Sequence, residues 1–580
     1  MSYFNTSKAL MYYDSILLFV KENKKNISIF VVLSVICLFP NLFYIYFGSS
    51  LSGNCTKKII FLSISIICFL VPFLIFNIRT SFLINGLFVL LAPLEIAEVY
   101  LNKQTVSPGF IMLILQTDSH EAFELLGSIK LLLFGFLLLY IFYFFSVSQL
   151  PKNVALFTLK RKFIVSSLSL LFLSALYIYF FALGSKIESE TKARFEFANG
   201  SFSQKFDEIY PCDMILSING GIKMFHTINQ TSADVEQFSF GAKQVAKTNE
   251  KEIYVLIIGE TARYANFSIN NYARITSPLL SKTSSLVSFN DVYSEANETR
   301  TSLPILLTRA TAQNFKVFTK EKSIVDAFNE VGFSTYWIAN QSVGNYFIQR
   351  VVKKTKEHFF VTKESDSSDN LDEKLWIYLD KILAKNEKKQ FIVIHTMGSH
   401  YRYDNRYPKA FKKFKPDSEG SFGYGVIDKR NKDKQINSYD NSILYTDYFL
   451  SNTIARINKK SAISSLLYIS DHGENLFENG QVLHGSILPT ISEIHVPLFV
   501  WTSEKYNKLF PQKNTSIIGN VNKSITSSVV FYSLLDLANI EIRETKFQKS
   551  ICSPLLHADS VRFVLNQNQQ VIKLVSKVIH

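Results

Sequence analysis

Three short polar clusters in this 580-residue chain each follow an apolar run, and each carries side chains able to bind a metal ion. Glu260 follows the run Ile253–Ile258. His395-Thr396-Met397-Gly398-Ser399-His400 completes the run that begins at Phe391. Asp471-His472-Gly473-Glu474 follows Leu466–Ser470, and His484 lies ten residues after Glu474. Carboxylate oxygens and imidazole nitrogens together suit Zn2+ and its Lewis-acid chemistry. One such residue on a loop carries little meaning; three clusters at comparable places in the fold carry more.

The elements before the clusters must bring them together. From about residue 251 strand and helix patterns alternate. Ile253–Ile258, Thr335–Ile338, Phe391–His395, Leu466–Ser470 and Val496–Trp501 read as strands. Ser323–Val331, Leu371–Ala384 and Tyr439–Ile457 read as helices between them. Such alternation predicts an α/β domain with a largely parallel sheet. Ligands in these sheets gather beyond the carboxyl ends of the strands, so the three clusters are expected along one edge.

The first third has a different character. Apolar stretches run over 26–47, 59–78, 80–101, 127–147 and 163–184, each about 20 residues, the length that crosses a hydrocarbon core. The whole chain is 47% hydrophobic and only 19% charged, below the about 25% of ordinary globular domains. Sparse Pro and Gly exclude a disordered or collagen-like chain, and five Cys exclude a disulfide scaffold. The first stretch is too long for a cleaved signal peptide, and no small-residue cleavage site follows it. Lys21, Lys24 and Lys25 before the first stretch, and Lys152, Lys160, Arg161 and Lys162 before the fifth, mark cytoplasmic segments. Arg79 agrees; Lys57 and Lys58 pull the other way. Residues 1–184 are therefore expected to form a five-span membrane domain with a cytoplasmic N-terminus. Residues 185–250 read as a linker with short helices, and 251–580 as an outer, periplasmic α/β domain. Glu95 and Glu98 lie near the outer end of the third stretch, either at the interface or in a functional role. The polar loop Gln116–Glu121 faces outward between apolar flanks that suggest surface-lying helices. The net charge of +14 divides evenly, 14 basic against 7 acidic residues in 1–186 and 48 against 41 beyond. With no nucleic-acid-binding motif, this points to membrane topology and not to nucleic acid. The charge run Asp428–Lys434 reads as a solvated loop.

Taken in order, the motifs resemble the phosphoethanolamine transferases of Gram-negative inner membranes, within the alkaline phosphatase/sulfatase superfamily. The matching segments are Ile257-Ile258-Gly259-Glu260-Thr261-Ala262-Arg263 with Asn266-Phe267-Ser268, Trp337–Ser342, Gly398-Ser399-His400, Tyr439-Asp440-Asn441, Asp471–Glu474, Glu478-Asn479-Gly480 and His484. The resemblance implies a zinc-held Thr nucleophile five residues before a Pro. With Pro304 that is Thr299; Thr301 is the nearby alternative. Either lies just ahead of a helix beginning at Leu303–Leu307, where backbone N–H groups receive phosphate oxygens. It further implies that Glu260, Thr299, Asp471 and His472 bind the first Zn2+. His400 and His484, with Glu474, would hold the phosphate or a second zinc. Thr117 and Glu121 match residues that reach the lipid headgroup, whereas Leu113 stands where the family has Asn.

The implied donor is phosphatidylethanolamine, and the implied acceptor a lipopolysaccharide or other envelope glycan. Family members that modify lipid A flank the nucleophile with disulfide-bonded Cys; this chain has none between 213 and 551. The segment Thr301–Leu307 with Thr308-Arg309-Ala310-Thr311 is more similar to the branch acting on lipopolysaccharide core sugars or other glycans. Cys212 and Cys552 are placed in the outer domain, paired or free. Two rival readings share the layout: a phosphoglycerol transferase of the lipoteichoic-acid-synthase type, and a catalytically dead membrane interaction protein.

The basic loop at 152–162 generates a direct test of topology. A reporter fused after residue 155 is expected to behave as cytoplasmic, and one fused after residue 245 as periplasmic. The reverse pattern would put the acid and imidazole clusters on the wrong side for an envelope acceptor.

Overall fold

The computed structural model describes residues 24–48, 51, 54–116, 130–184, 191–229, 234–246, 248–341, 346–361, 371–419 and 429–574. The chain forms two compact units, one of 1–111 with 129–222 and one of 112–128 with 223–580.

The first unit is helical. Its helices are α1 Lys24–Phe47, α2 Cys55–Ile75, α3 Ile78–Val89 and α4 Ala92–Asn102. After α5, Pro108–Gln116, come α6 Lys130–Ser148, α7 Leu159–Gly184, α8 Thr191–Phe206 and α9 Cys212–Asn229. Among the described residues, α1, α2 and α7 are long and apolar enough to cross a membrane, and α3 with α4 makes a fourth only as a pair bent by 46°. The expected third span is thus broken. Pro93 at the start of α4 has no N–H to continue the helical ladder. Among the described residues the apolar part of α6 runs over Leu133–Ser148, and residues 117–129 before it lie outside them.

Glu95 and Glu98 are both fully buried. Glu95 Oε2 accepts the Val106 N–H at 3.1 Å, and Gln104 donates to Glu98 Oε1 at 3.1 Å. They therefore tie a turn inside the unit. The segment read as a linker with short helices folds as α8 and α9, of 16 and 18 residues. The Asn41 carboxamide exchanges two bonds with the Tyr210 backbone, at 2.8 and 3.0 Å. Tyr210 and Met214 share a buried cluster with Ala92, Val106 and Ile111. Burial of this apolar surface holds residues up to 222 in the first unit. Cys212 belongs there too, its Sγ 3.7 Å from that of Cys68. Cys552 is buried in the second unit, and both are free thiols.

The second unit is built on a seven-stranded sheet. In chain order its strands are β1 Glu252–Gly259, β2 Leu286–Phe289, β3 Ser334–Ala339, β4 Glu357–Phe360, β5 Lys389–His395, β6 Ile463–Ser470 and β7 Leu498–Thr502. Across the sheet they run β2-β7-β6-β1-β5-β3-β4. The five from β6 to β4 are parallel; β7 and β2 close one edge antiparallel. Alternate side chains of each central strand enter opposite cores, and both cores are built from buried apolar residues. Tyr254, Leu256 and Ile258 of β1 join Phe391, Val393, Leu467 and Ile469 on one face. This face is covered by α10 Thr299–Leu307, α11 Ile324–Glu330 and a later helix, Val529–Leu537. Ile253, Val255 and Ile257 join Ile392, Ile394 and Leu466 on the other. Helices Leu375–Leu383 and Lys432–Asn458 cover that face. Two covered faces explain why these strands are continuous apolar runs.

The register places the site. β1 lies between β5 and β6, with Ile258 opposite His395 and Gly259 opposite Ser470. The next residues of three adjacent parallel strands, Glu260, Thr396 and Asp471, therefore emerge side by side. The turns are locked: Thr396 N–H bonds Ile258 O at 3.1 Å, and Asp471 N–H bonds Gly259 O at 3.0 Å.

Candidate active site

Glu260, Asp471 and His472 bring one ligand atom each to within 4.8 Å of one another, and all three are buried. His472 Nε2 is 3.4 Å from Glu260 Oε1 and 3.4 Å from Asp471 Oδ2. Its Nδ1–H donates to the Gly473 carbonyl at 2.8 Å, which orients the ring and aims Nε2 at the carboxylates, as in metal-ligating histidines. Asp471 Oδ1 receives the N–H groups of Thr261 and His472, at 3.1 and 2.7 Å. Its Oδ2 is buried without a hydrogen bond. An unpaired buried carboxylate oxygen is costly, and here it points toward another carboxylate and an imidazole. This oxygen- and nitrogen-donor set fits a divalent ion such as Zn2+.

The backbone is forced to make this arrangement. Thr261 has φ +62°, unusual for a β-branched residue. It is held there by its bond to Asp471, by its hydroxyl on Glu260 Oε1 at 2.9 Å, and by the Tyr439 hydroxyl on its carbonyl at 2.7 Å. Gly398 has φ +51°, and a Cβ there would lie 2.8 Å from the Glu260 carbonyl. A Cβ on Gly473 would lie 2.2 Å from the Ser492 carbonyl. Strain of this kind persists where the surroundings over-determine the geometry.

Thr299 opens α10, which begins a turn earlier than Leu303–Leu307 suggests, because the Ser302 N–H already bonds Glu298 O at 3.0 Å. Thr299 Oγ1 lies 3.1 and 3.2 Å from the two Glu260 oxygens and 3.2 Å from His472 Nε2. Thr301 is fully buried, and its hydroxyl turns back to the Glu298 carbonyl at 3.2 Å. The two threonines thus separate cleanly. Glu474 and His484 stand alongside, joined by a 3.1 Å contact between Oε1 and Nδ1, and the His484 ring lies 4.1 Å from that of His472. His400 is half-buried with Nδ1 unpartnered, and Glu260, Glu474 and His484 all act on its charge. Thr117 and Glu121 lie outside the described residues.

Other residues complete the site: Asn340 and Gln341 come from the matching segment Trp337–Ser342 without a role having been read for them, and Tyr403 and Asp372 carried no sequence signal. Gln341 donates to Glu260 Oε2 at 2.9 Å and to the Thr396 carbonyl at 2.8 Å. Tyr403 donates to Glu474 Oε2 at 3.0 Å. Buried Asp372 takes the N–H groups of Met397 and Gly398 and the Asn340 amide, fixing the loop that leads to His400.

The electrostatics follow from crowding. Burial alone would lower His472, but the charge of Asp471 and the contact with Glu260 raise it to about 10. Burial would raise Glu260, yet His472 holds it well below the usual carboxylate range. Asp471 is pushed up by burial and by the charge of Glu260. Glu474 is raised to about 8 by burial. Burial lowers His400 to about 4 and His484 to about 3, so both are neutral imidazoles at physiological pH. The core triad therefore calls for a positive charge, either a proton on His472 or a metal ion at the same point.

Residues 252–540 match the Sulfatase family. Phosphoethanolamine transferase EptA of Escherichia coli (strain K12) is 30% identical over 302 residues, 50% of this chain and 54% of that protein. The chain spans about half the length of the curated relatives it matches. Among solved structures, lipooligosaccharide phosphoethanolamine transferase A (EptA) of Neisseria meningitidis aligns with a TM-score of 0.69 at 21% identity, over 90% of this chain and 98% of that one. The C-terminal periplasmic domain of EcEptC from Escherichia coli, a complex with Zn, aligns with a TM-score of 0.50 at 24% identity, over 56% and 92%. These two likenesses bear on the fold alone: a helical N-terminal region followed by an α/β domain.

The raised groups give a pH signature. Glu474, with an ordinary value of 4.5, titrates at about 8 in the folded chain, and His472, ordinarily 6.5, at about 10. Each binds its proton more tightly when folded, so each contributes stability that is lost as pH rises through its folded value. Metal-stripped protein is expected to fall steadily in Tm from pH 7 to 9.5. Zinc-loaded protein is expected to fall less, because bound metal already replaces the proton. Identical profiles with and without zinc would count against a metal at His472.

Proposed function

We propose that this chain, a member of the phosphoethanolamine transferase family of the alkaline phosphatase superfamily, moves phosphoethanolamine from phosphatidylethanolamine to a lipopolysaccharide or other envelope glycan by way of Thr299. One observation carries the reading. Thr299 Oγ1 is within hydrogen-bond reach of both Glu260 and His472, beside the unpartnered Asp471 oxygen, while Thr301 faces away.

Glu260, Thr299, Asp471 and His472 would hold one Zn2+. When bound, the ion supplies Lewis acidity that lowers the pKa of the Thr299 hydroxyl and offsets phosphoryl charge. Thr299 Oγ attacks phosphorus, a Thr299–phosphoethanolamine ester forms, and diacylglycerol leaves with the proton. Neutral His400 and His484 serve as N–H donors to phosphoryl oxygens, where charge builds in the transition state. Glu474, pressed up by burial and held by Tyr403, fixes the His484 ring through Nδ1. The start of α10 adds backbone N–H groups beside the ester. An acceptor hydroxyl or phosphate then displaces Thr299 and regenerates its hydroxyl. The first unit keeps this centre at the membrane that contains the donor, raising its effective concentration. Thr117 and Glu121 would meet the ethanolamine headgroup. The orientation that fits is an inner-membrane protein with a cytoplasmic N-terminus and a periplasmic second unit.

Incubation with phosphatidylethanolamine and no acceptor is expected to leave phosphoethanolamine on Thr299, located by peptide mass spectrometry. Thr299→Ala is expected to abolish adduct and transfer, a loss of at least about a thousandfold for removal of a nucleophile. Thr301→Ala is expected to keep most of both. An adduct on Thr301, or transfer persisting in Thr299→Ala, would overturn the covalent assignment.

A further inference from the structure

The second unit contains a cavity of about 780 Å³, within the roughly 300–1,000 Å³ of small-ligand sites. One wall is formed by residues of the 478–492 segment, the other by Tyr293 and the C-terminal stretch with Arg562 and Lys573. We propose that this cavity binds the acceptor, and that the acceptor portion it takes is an anionic saccharide. The inference rests on the transferase reading above and adds where, and by what chemistry, the second substrate is held.

The cavity shares a wall with the reaction centre. Ser492 lines it, while the Ser492 carbonyl accepts the Glu474 N–H at 2.9 Å and its hydroxyl accepts from Arg263 at 3.2 Å. Between Glu474 and Ser492 the chain also carries His484. A ligand in the cavity therefore leans on the segment that sets both groups. That segment is held in an expensive shape. Phe477, Asn479 and Leu483, none of them glycine, have positive φ, a concentration that marks geometry retained for a use.

The lining suits a sugar. Leu488, 71% exposed, and Ile572 offer apolar surface to a ring's C–H face. The carboxamides of Asn479 and Gln481 offer paired donors and acceptors to hydroxyls. The charge balance selects an anion. Glu478 is paired with Arg263 at 2.8 Å, and Arg562 with Asp291, its Nη1 at 2.6 Å. Asp559 lies 3.6 Å from Lys549. The Lys573 side chain, on a strand paired through its backbone with Phe563, has no ion pair or hydrogen bond among the described residues, so the uncompensated charge in the lining is positive. A phosphate or carboxylate on the saccharide would meet it.

The test uses the full chain in vesicles of phosphatidylethanolamine, with lipopolysaccharide extracted from cells that carry the protein. Two variants probe opposite properties: Lys573→Glu reverses the charge, and Ser560→Trp fills the cavity from an exposed lining position. Both are expected to raise KM for lipopolysaccharide by on the order of tenfold, Lys573→Glu by losing a charged contact and Ser560→Trp by occupying the cavity. Diacylglycerol release without acceptor is expected to stay within about twofold, because it precedes acceptor binding. Unchanged KM in both variants overturns the acceptor site while leaving the transferase reading intact. Parallel loss of both steps overturns it too, since the residues would then act on the fold. Absence of any Thr299 adduct in the unsubstituted chain overturns the transferase reading itself.

Discussion

Two carboxylates buried against each other set the terms for the second unit. Glu260 and Asp471, both buried, cannot both be charged without a cation between them. Two like unit charges about 4 Å apart cost about 4 kcal/mol even at an effective dielectric near 20. The fold concentrates that repulsion deliberately. Three neighbouring parallel strands end in register, Thr261 is held in a left-handed conformation, and Gly398 lets the β5 loop pass against the Glu260 backbone. His472 supplies the cation when protonated; a metal ion would supply a larger one and would bring Thr299 Oγ into its reach. The same crowding that makes the site expensive in isolation suits it to a divalent ion.

Burial then divides the histidines by role. His472, pinned between two acids, is the basic one, whereas His400 and His484 are driven to the neutral form. Neutral imidazoles beside a cation do not compete with it for the acids, yet they can still donate to an anionic ligand. Gln341, Tyr403 and Asp372 hold the geometry in place by satisfying lone pairs that would otherwise disperse the cluster.

Much of this was legible from residue order. The apolar runs of β1, β5 and β6 are unmistakable because both sheet faces are covered, and the polar clusters after them follow from parallel topology. Choosing Thr299 over Thr301 needed a family resemblance, since both precede Pro304 and only the start of α10 separates their directions. The supporting roles were silent, even for Gln341 inside the matching segment Trp337–Ser342, because their partners lie far away: Gln341 and Glu260 are 81 residues apart, Tyr403 and Glu474 71. The helical unit was the harder part. Hydropathy counts apolar residues and misses the break at Pro93. Composition makes 191–229 look like a linker, although Tyr210 and Met214 bury it against α4 and α5. The bonds of Glu95 and Glu98 to Val106 and Gln104 are polar contacts that periodicity does not show.

The claim on which the account stands is that a zinc ion joins Glu260, Asp471, His472 and Thr299. Anomalous diffraction from crystals of the full chain, recorded on both sides of the zinc absorption edge, tests it most directly. The account predicts a single strong peak about 2.0–2.2 Å from a ligand atom of each of those residues. No peak there in crystals grown with excess zinc, or a peak held by other side chains, would contradict it.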